Sequence, residues 1–307
     1  MLDWTDRHCR RFWRIMTKKS LLYTEMVTSG AIIYGKNDYL AFDGAEHPVA
    51  VQLAGCDPKD LALCAKRAEE KGYDEINLNC GCPSDRVQNG GFGAALMLRP
   101  DLVADIVKAM TDAVSVPVTV KCRIGIDNED SPDFLRNFVR KVSAAGCGRF
   151  IIHARKAWLE GLSPSENRTV PPLIYERVHM IKREFPDLEI VINGGLTDLG
   201  ACLGELRELD GVMVGRAAWE NPAMLLDVDE KIFGAERNAM SRADVVREYL
   251  SYIEDELSRG VKLFRKAVSE EAWKKGAGAE VVENALLEQK KAEEAFLEYR
   301  SSLPRSE

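Results

Sequence analysis

The sequence predicts an α/β protein, a TIM (β/α)8 barrel followed by an all-helical domain. Three observations predict it. Short β-branched runs alternate with longer amphipathic stretches from Leu21 to Arg216; each run closes on polar or glycine residues; and beyond Gly234 only helical periodicity remains. Repeated βα units at this spacing fit a closed barrel better than a doubly wound sheet. The barrel is expected over residues 1–234 and the helical domain over residues 235–307.

The barrel strands are expected at Leu21–Val27, Pro48–Gly55, Glu75–Gly81, Pro117–Gly125, Arg149–Arg155, Glu189–Gly195 and Gly211–Arg216. Closure needs one more strand. It is expected to precede Met1, because Thr5–Lys18 reads as the first crossover helix, so the first strand should be truncated. That helix repeats Arg7, Arg10, Arg11, Arg14, Lys18 and Lys19 at helical spacing. Such a stripe either meets nucleic-acid phosphates or forms a solvated face over Phe12, Ile15 and Met16, with the second reading weighted at least as heavily. In the C-terminal part, helices are expected over Arg242–Leu257, Lys262–Lys275 and Gly278–Arg300, punctuated by Gly260 and by Gly276-Ala277-Gly278. The last is rich in Glu, Lys and Ala and is assigned no chemistry.

Composition bounds the function classes. The chain has 307 residues, 46% of them hydrophobic and 30% charged, with a formal charge of −7. No run is apolar for long enough to cross a bilayer, and the N-terminus lacks the basic start and apolar run of a secretory signal. A soluble cytoplasmic protein, monomeric and with no membrane partner, is expected. The negative charge argues against a protein that coats nucleic acid, though it leaves a local patch open. Eight cysteines are dispersed, several within strand-like runs, which suits reduced, buried thiols rather than a disulfide framework. Cys80 and Cys82 have no second pair at zinc-ligand spacing, so no metal site is expected.

In a barrel of this kind, catalytic groups sit where strands pass into βα loops. The strand ends here are polar throughout: Thr24-Glu25-Met26, then Gln52, Asn77 and Asn79, Lys121 and Arg123, His153 and Arg155, Asn193, and Arg216. Glycines cluster at the last two, in Asn193-Gly194-Gly195 and Gly215-Arg216, where backbone amides can approach a phosphate. A phosphorylated cofactor or substrate is the favoured reading of that pattern; a pair of tight turns is the bland one. Cys82, in Asn79-Cys80-Gly81-Cys82-Pro83-Ser84, would stand over the barrel mouth beside an amide, as an acid or nucleophile would. Taken alone, that cysteine or His153 would read as an inert interior residue.

The motifs Leu22-Tyr23-Thr24-Glu25-Met26, Asn77 to Ser84, Val120-Lys121-Cys122-Arg123-Ile124-Gly125, Ile152-His153-Ala154-Arg155-Lys156 and Asn193-Gly194-Gly195 together resemble the dihydrouridine synthase family. Asp85 to Gly90 and Leu162 to Arg168 resemble its A-type subgroup, specific for tRNA positions 20 and 20a. The resemblance runs from Met1 to about Gly234 and implies FMN in the barrel mouth, NADPH as reductant and D-loop uridines of tRNA as substrate. It implies that Gln52, Lys121, His153 and Asn193 contact the flavin, with Gly194, Gly195, Gly215 and Arg216 around its phosphate. Cys82 would be the general acid, and Asn79 and Arg168 would hold the target uracil. Two departures stand out: the family's Ala-Pro-Met segment is represented only from Met1, and Gly260-Val261-Lys262-Leu263 replaces a basic segment of the helical domain. Alternatives from other classes are an inactive remnant that only binds tRNA and an FMN reductase of free pyrimidines. Arg168 and the helical domain argue against the second.

Overall fold

The computed structural model describes residues 1–275 except 3 and 85–89. The described chain opens with helix α1 (Arg7–Met16) and then alternates strands and helices: β1 (Leu22–Thr28), α2 (Ser29–Tyr34), β2 (Val49–Ala54), α3 (Pro58–Lys71), β3 (Glu75–Cys80), α4 (Pro100–Ala113), β4 (Val118–Arg123), α5 (Pro132–Ala144), β5 (Arg149–His153), α6 (Tyr175–Glu184), β6 (Glu189–Asn193), α7 (Leu199–Glu205) and β7 (Gly211–Met213). Helices α8 (Arg216–Glu220), α9 (Val228–Lys231) and α10 (Arg242–Lys275) follow. The seven strands form one parallel sheet in chain order, with registers such as Gln52 beside Asn77 and Asn79 beside Lys121. This is the TIM-barrel architecture read from the alternation. Each expected strand forms, most ending one to three residues early because their terminal glycines and polar residues belong to the loops. Among the described residues no further strand lies between β7 and β1.

Local chemistry sets the helix ends. Asp57 accepts from the amides of Lys59 and Asp60 ahead of Pro58, and Gly72 closes α3 at φ +98°, a left-handed angle that favours glycine. Ser131 and Asp198 cap α5 and α7 in the same way.

Alternation along the strands divides the sheet into two environments. Val49, Val51 and Leu53, then Ile76, Leu78 and Cys80, then Val118, Val120 and Cys122, with Phe150, Ile152, Ile190 and Ile192, join the helices in one buried apolar core. The residues between them face the barrel interior and are largely polar. Their bonds link alternate strands: Tyr23 on β1 donates to Glu75 on β3 (2.5 Å), Arg149 on β5 pairs with Glu75, and Lys121 on β4 donates to Asn193 on β6 (3.1 Å). Alternate strands meeting inside is how barrel interiors are layered.

Two expectations are corrected. First, the basic stripe of α1 is not uniform: Arg7 is exposed as expected, but two of its cations are buried. Arg10 is buried against Glu46 at 2.5 Å, and Arg14 is buried, donating to the carbonyls of Glu46, Thr17, Ser20 and Pro48. Burial draws the Arg14 pKa down to about 10. Charge spacing alone could not tell these guanidiniums from exposed ones, because their partners, the Glu46 carboxylate and backbone carbonyls, lie outside the helix. Second, Gly260 does not break the helix: α10 runs unbroken from Arg242 to Lys275. A helical glycine costs only about 1 kcal/mol relative to alanine, too little to end a long helix. The chain divides into compact units Met1–Arg242 and Ala243–Glu307. Residues just after Gly234 still bond to the first unit, Asn238 donating to the carbonyls of Ile15 and Met16. The expected helix Gly278–Arg300 lies outside the described residues, as do positions 85–89 of the subgroup motif. No helix of the described residues is long and apolar enough to cross a membrane.

Candidate active site

The carboxyl end of the sheet gathers the expected site residues. Asn79, 7% exposed, turns its side-chain oxygen to the backbone amides of Gly81 (3.1 Å) and Cys82 (3.0 Å), which bends the chain sharply after β3. The Cys82 thiol is half-buried, 3.5 Å from the Ser84 hydroxyl, and lies within electrostatic reach of Lys121, Arg123 and Arg168. Cys80, two residues earlier, points the other way, into the apolar core beside Cys122 and Cys147, where burial raises its pKa strongly. Cys82 lies beyond the end of β3, in the turn that Asn79 holds, so the two sulfurs part company and do not form a ligand pair.

Gln52 bridges its neighbours, donating to Asn77 Oδ1 and accepting from Asn79 Nδ2, each at 2.8 Å. Lys121 reaches Asn193, whose amide donates to the Met213 carbonyl at 2.9 Å. Burial, reinforced by Arg123, lowers the Lys121 pKa to about 8. His153 is buried, and desolvation together with Arg123, Lys121, Arg155 and Arg216 pushes its pKa well below the ordinary imidazole range. It is therefore a neutral ring at physiological pH, able to donate from one nitrogen and accept at the other.

Gly194 and Gly195 follow β6 at φ +111° and +71°, angles that side-chain-bearing residues rarely adopt. A Cβ on Gly194 would stand 2.5 Å from His153 Cδ2, and one on Gly195 would stand 2.4 Å from Leu173 Cδ1. The Gly194 carbonyl is held by the Tyr175 hydroxyl at 2.6 Å. Arg216 lies at the start of α8, directly after Gly215, and donates to the Arg168 carbonyl at 3.1 Å.

The Leu162 to Arg168 motif forms a compact loop. Ser163 and Glu166 bond each other's backbone, and the buried Asn167 side chain ties the loop to Trp158, Leu162 and Ser163. Arg168 emerges within electrostatic reach of Arg216 and Cys82, and its Nε is buried without a partner. Arg155 Nε is likewise buried and unpartnered. Unmatched guanidinium donors among so many cations define a place for an anion. Gln52, Asn79, Cys82, Lys121, His153, Asn193 and Arg168 thus converge through direct bonds or mutual electrostatic reach, with the glycine cradle and Arg216 beside them. Two open surface hollows of about 310 Å³ each lie elsewhere, one including Arg67 and Lys71 and the other Arg7 and Tyr73, and neither includes any of these residues.

Sequence reasoning missed one organiser. Arg123 is buried and donates to the Gly81 carbonyl (2.9 Å) and to those of Lys156 and Asn167 (2.9 Å each), joining the cysteine turn to the Arg168 loop. Its alternation with Lys121 placed it on the interior face, but nothing local indicated that its partners lie more than thirty residues away on either side.

The fold and site define a βα-barrel protein whose mouth is cationic and carries the Cys82 thiol. The comparisons with known proteins resolve the class further. The chain belongs to the dihydrouridine synthase family, whose model, Dihydrouridine synthase (Dus), matches residues 1–304. It is 56% identical over 306 residues to a tRNA-dihydrouridine(20/20a) synthase of Vibrio cholerae, covering 93% of this chain and 94% of that protein. It is 57% identical over 306 residues to the protein of that name from Salmonella typhi, covering 93% and 92%, and 56% identical to that of Escherichia coli K12, covering 93% and 89%.

Proposed function

We propose that this protein is an FMN- and NADPH-dependent tRNA-dihydrouridine synthase that reduces uridines 20 and 20a of the D-loop. The observation that carries the reading is one thiol, Cys82, set among Lys121, Arg123 and Arg168 at a mouth that also holds the glycine cradle of Gly194 and Gly195. The residues present fit a flavin mononucleotide: a backbone cradle that any Cβ would fill, two orphaned guanidinium nitrogens, and cations fit for a phosphate and an electron-rich ring. Gly194, Gly195, Gly215 and Arg216 would hold the phosphate, and Gln52, Lys121, His153 and Asn193 the ring system. When bound, the reduced flavin supplies a hydride, which C6 of the uracil receives.

The chain's own residues do the rest. Asn79 and Arg168 orient the base through its carbonyl oxygens and imide, a task suited to an amide and a guanidinium. Charge then develops toward C5 and O4, where the cations are stabilising. The Cys82 Sγ–H gives its proton to C5, so that C5–C6 becomes a single bond and a thiolate remains among the cations until it is reprotonated. The base must leave its stack to reach the barrel, which makes tRNA the partner and the helical domain its second contact. A monomer in the cytoplasm suffices for this chemistry.

The test is anaerobic. Protein reconstituted with FMN and reduced by NADPH is mixed with unmodified tRNA, and flavin reoxidation and dihydrouridine are followed together. Reoxidation with equivalent dihydrouridine is expected; reduced flavin that persists in the presence of tRNA contradicts the reading.

A further inference from the structure

An unbroken chain of hydrogen bonds crosses the barrel interior from its floor to the cysteine turn. At the floor, the Glu75 carboxylate is paired with Arg149 and accepts from the Tyr23 hydroxyl. The Thr119 hydroxyl donates to Glu75 at 2.7 Å and accepts from Asn77 Nδ2 at 2.8 Å. Asn77 Oδ1 accepts from Gln52, Gln52 Oε1 accepts from Asn79, and Asn79 Oδ1 accepts from the amides of Gly81 and Cys82. Glu75, Asn77 and Thr119 are at most 1% exposed, so water cannot take over a lost bond.

The chain has one direction. A carboxylate only accepts and a backbone N–H only donates, so both ends demand the same orientation of every amide between them. Flipping any one amide sets donor against donor and acceptor against acceptor on its two sides. Neither Thr119 nor Asn77 belongs to the set assigned above to flavin or base. We propose that Thr119 and Asn77 are positioning residues that orient the Gln52 and Asn79 amides, so that Asn79 holds the Cys82 thiol in its working place.

Two near-isosteric variants of the full chain test this. Thr119→Val removes the hydroxyl, whereas Thr119→Ser keeps it. The first readout needs no turnover: the rate at which iodoacetamide labels Cys82 in the flavin-free protein, followed by peptide mass spectrometry. Thr119→Val is expected to raise that rate about threefold or more by loosening the turn, while labelling of Cys202, buried on α7, stays at the wild-type rate, and Thr119→Ser restores wild-type labelling of Cys82. If Thr119→Val does not accumulate folded, Gln52→Met interrupts the chain nearer solvent and is expected to raise Cys82 labelling in the same way. Equal Cys82 labelling in wild type and the interrupted variant overturns the proposal, as does a rise in Cys202 labelling in step with Cys82.

The second readout rests on the proposed function. At saturating tRNA, Thr119→Val is expected to slow oxidation of the reduced flavin about tenfold, with the half-saturating tRNA concentration little changed. If the wild type does not react with tRNA while labelling still separates Val from Ser at position 119, the functional reading fails and the positioning claim stands. If the wild type reacts and labelling does not separate them, the positioning claim fails alone.

Discussion

Gly194→Ala probes the link between the glycine cradle and the imidazole beneath it. The new Cβ would meet His153 Cδ2 at 2.5 Å, His153 Nε2 at 2.9 Å and Leu173 Cδ2 at 3.2 Å, on a backbone held at φ +111°. The backbone angle costs an alanine about 1–3 kcal/mol. Forcing a methyl into a filled site costs a further 1–3 kcal/mol or so. A loss of about 2–6 kcal/mol would lower Tm by about 5–20 °C in a unit of this size. The ring cannot retreat freely, because His153 is buried at the end of β5. Thermal melts with a flavin-fluorescence titration measure both consequences: Tm is expected to fall, and FMN to bind about tenfold or more weakly. The double variant with His153→Ala is expected to recover the steric part of the Tm loss but not the backbone part, giving non-additive energies. Unchanged Tm and unchanged FMN affinity in Gly194→Ala would refute the reasoning.

Other consequences can be measured independently. Lys121, whose pKa burial lowers to about 8, should lose its proton in the flavin-free protein as pH rises through that value. A bound anion favours the charged form, so FMN affinity is expected to fall above pH 8 by up to about tenfold per pH unit, and Lys121→Arg to flatten that slope in a titration across pH. The same shift fixes a stability trend: the folded-state value lies below the ordinary 10.5, so the group's contribution is full above the ordinary value and is lost as pH falls through 8. Arg14→Met leaves four carbonyls without their guanidinium and is expected to cost about 2–4 kcal/mol in denaturant unfolding, with no change in the salt dependence of tRNA binding. A reduced salt slope at unchanged stability would restore the phosphate-contact reading of α1. Arg168→Met is expected to lower kcat/KM for tRNA about tenfold to a hundredfold while FMN affinity holds; steady-state kinetics beside a flavin titration checks it.

The fold was legible because the barrel's two environments write different signals into one strand. Val49, Val51 and Leu53 announce the face under the helices, and Gln52 between them announces an interior that is polar. Strand-end motifs around Cys82 and Gly194 were legible for a related reason: glycine and proline mark sharp turns, and catalytic groups sit at the turns of a barrel. What could not be read depends on distant partners. Arg10 and Arg14 look like surface charges until Glu46 and the carbonyls around Thr17 and Pro48 are brought beside them. Arg123 looks like one more strand-end cation until the Gly81 turn and the Asn167 loop converge on it. Asn77 was visible as polar, but its role in a directional chain rests on the register that sets it between Gln52 and Thr119. Gly260 shows the converse, since a strong local signal for a break was overruled by the length of helix on either side.

The most direct measurement is position-resolved mapping of dihydrouridine in unmodified tRNA after incubation with FMN, NADPH and either the wild type or Cys82→Ala. The wild type is expected to modify positions 20 and 20a. Cys82→Ala is expected to keep its flavin, accept reducing equivalents from NADPH, and form product about 10²- to 10⁴-fold more slowly. Wild-type rates in the alanine variant would contradict the assignment of Cys82 as proton donor, and product at other uridines would contradict the substrate assignment.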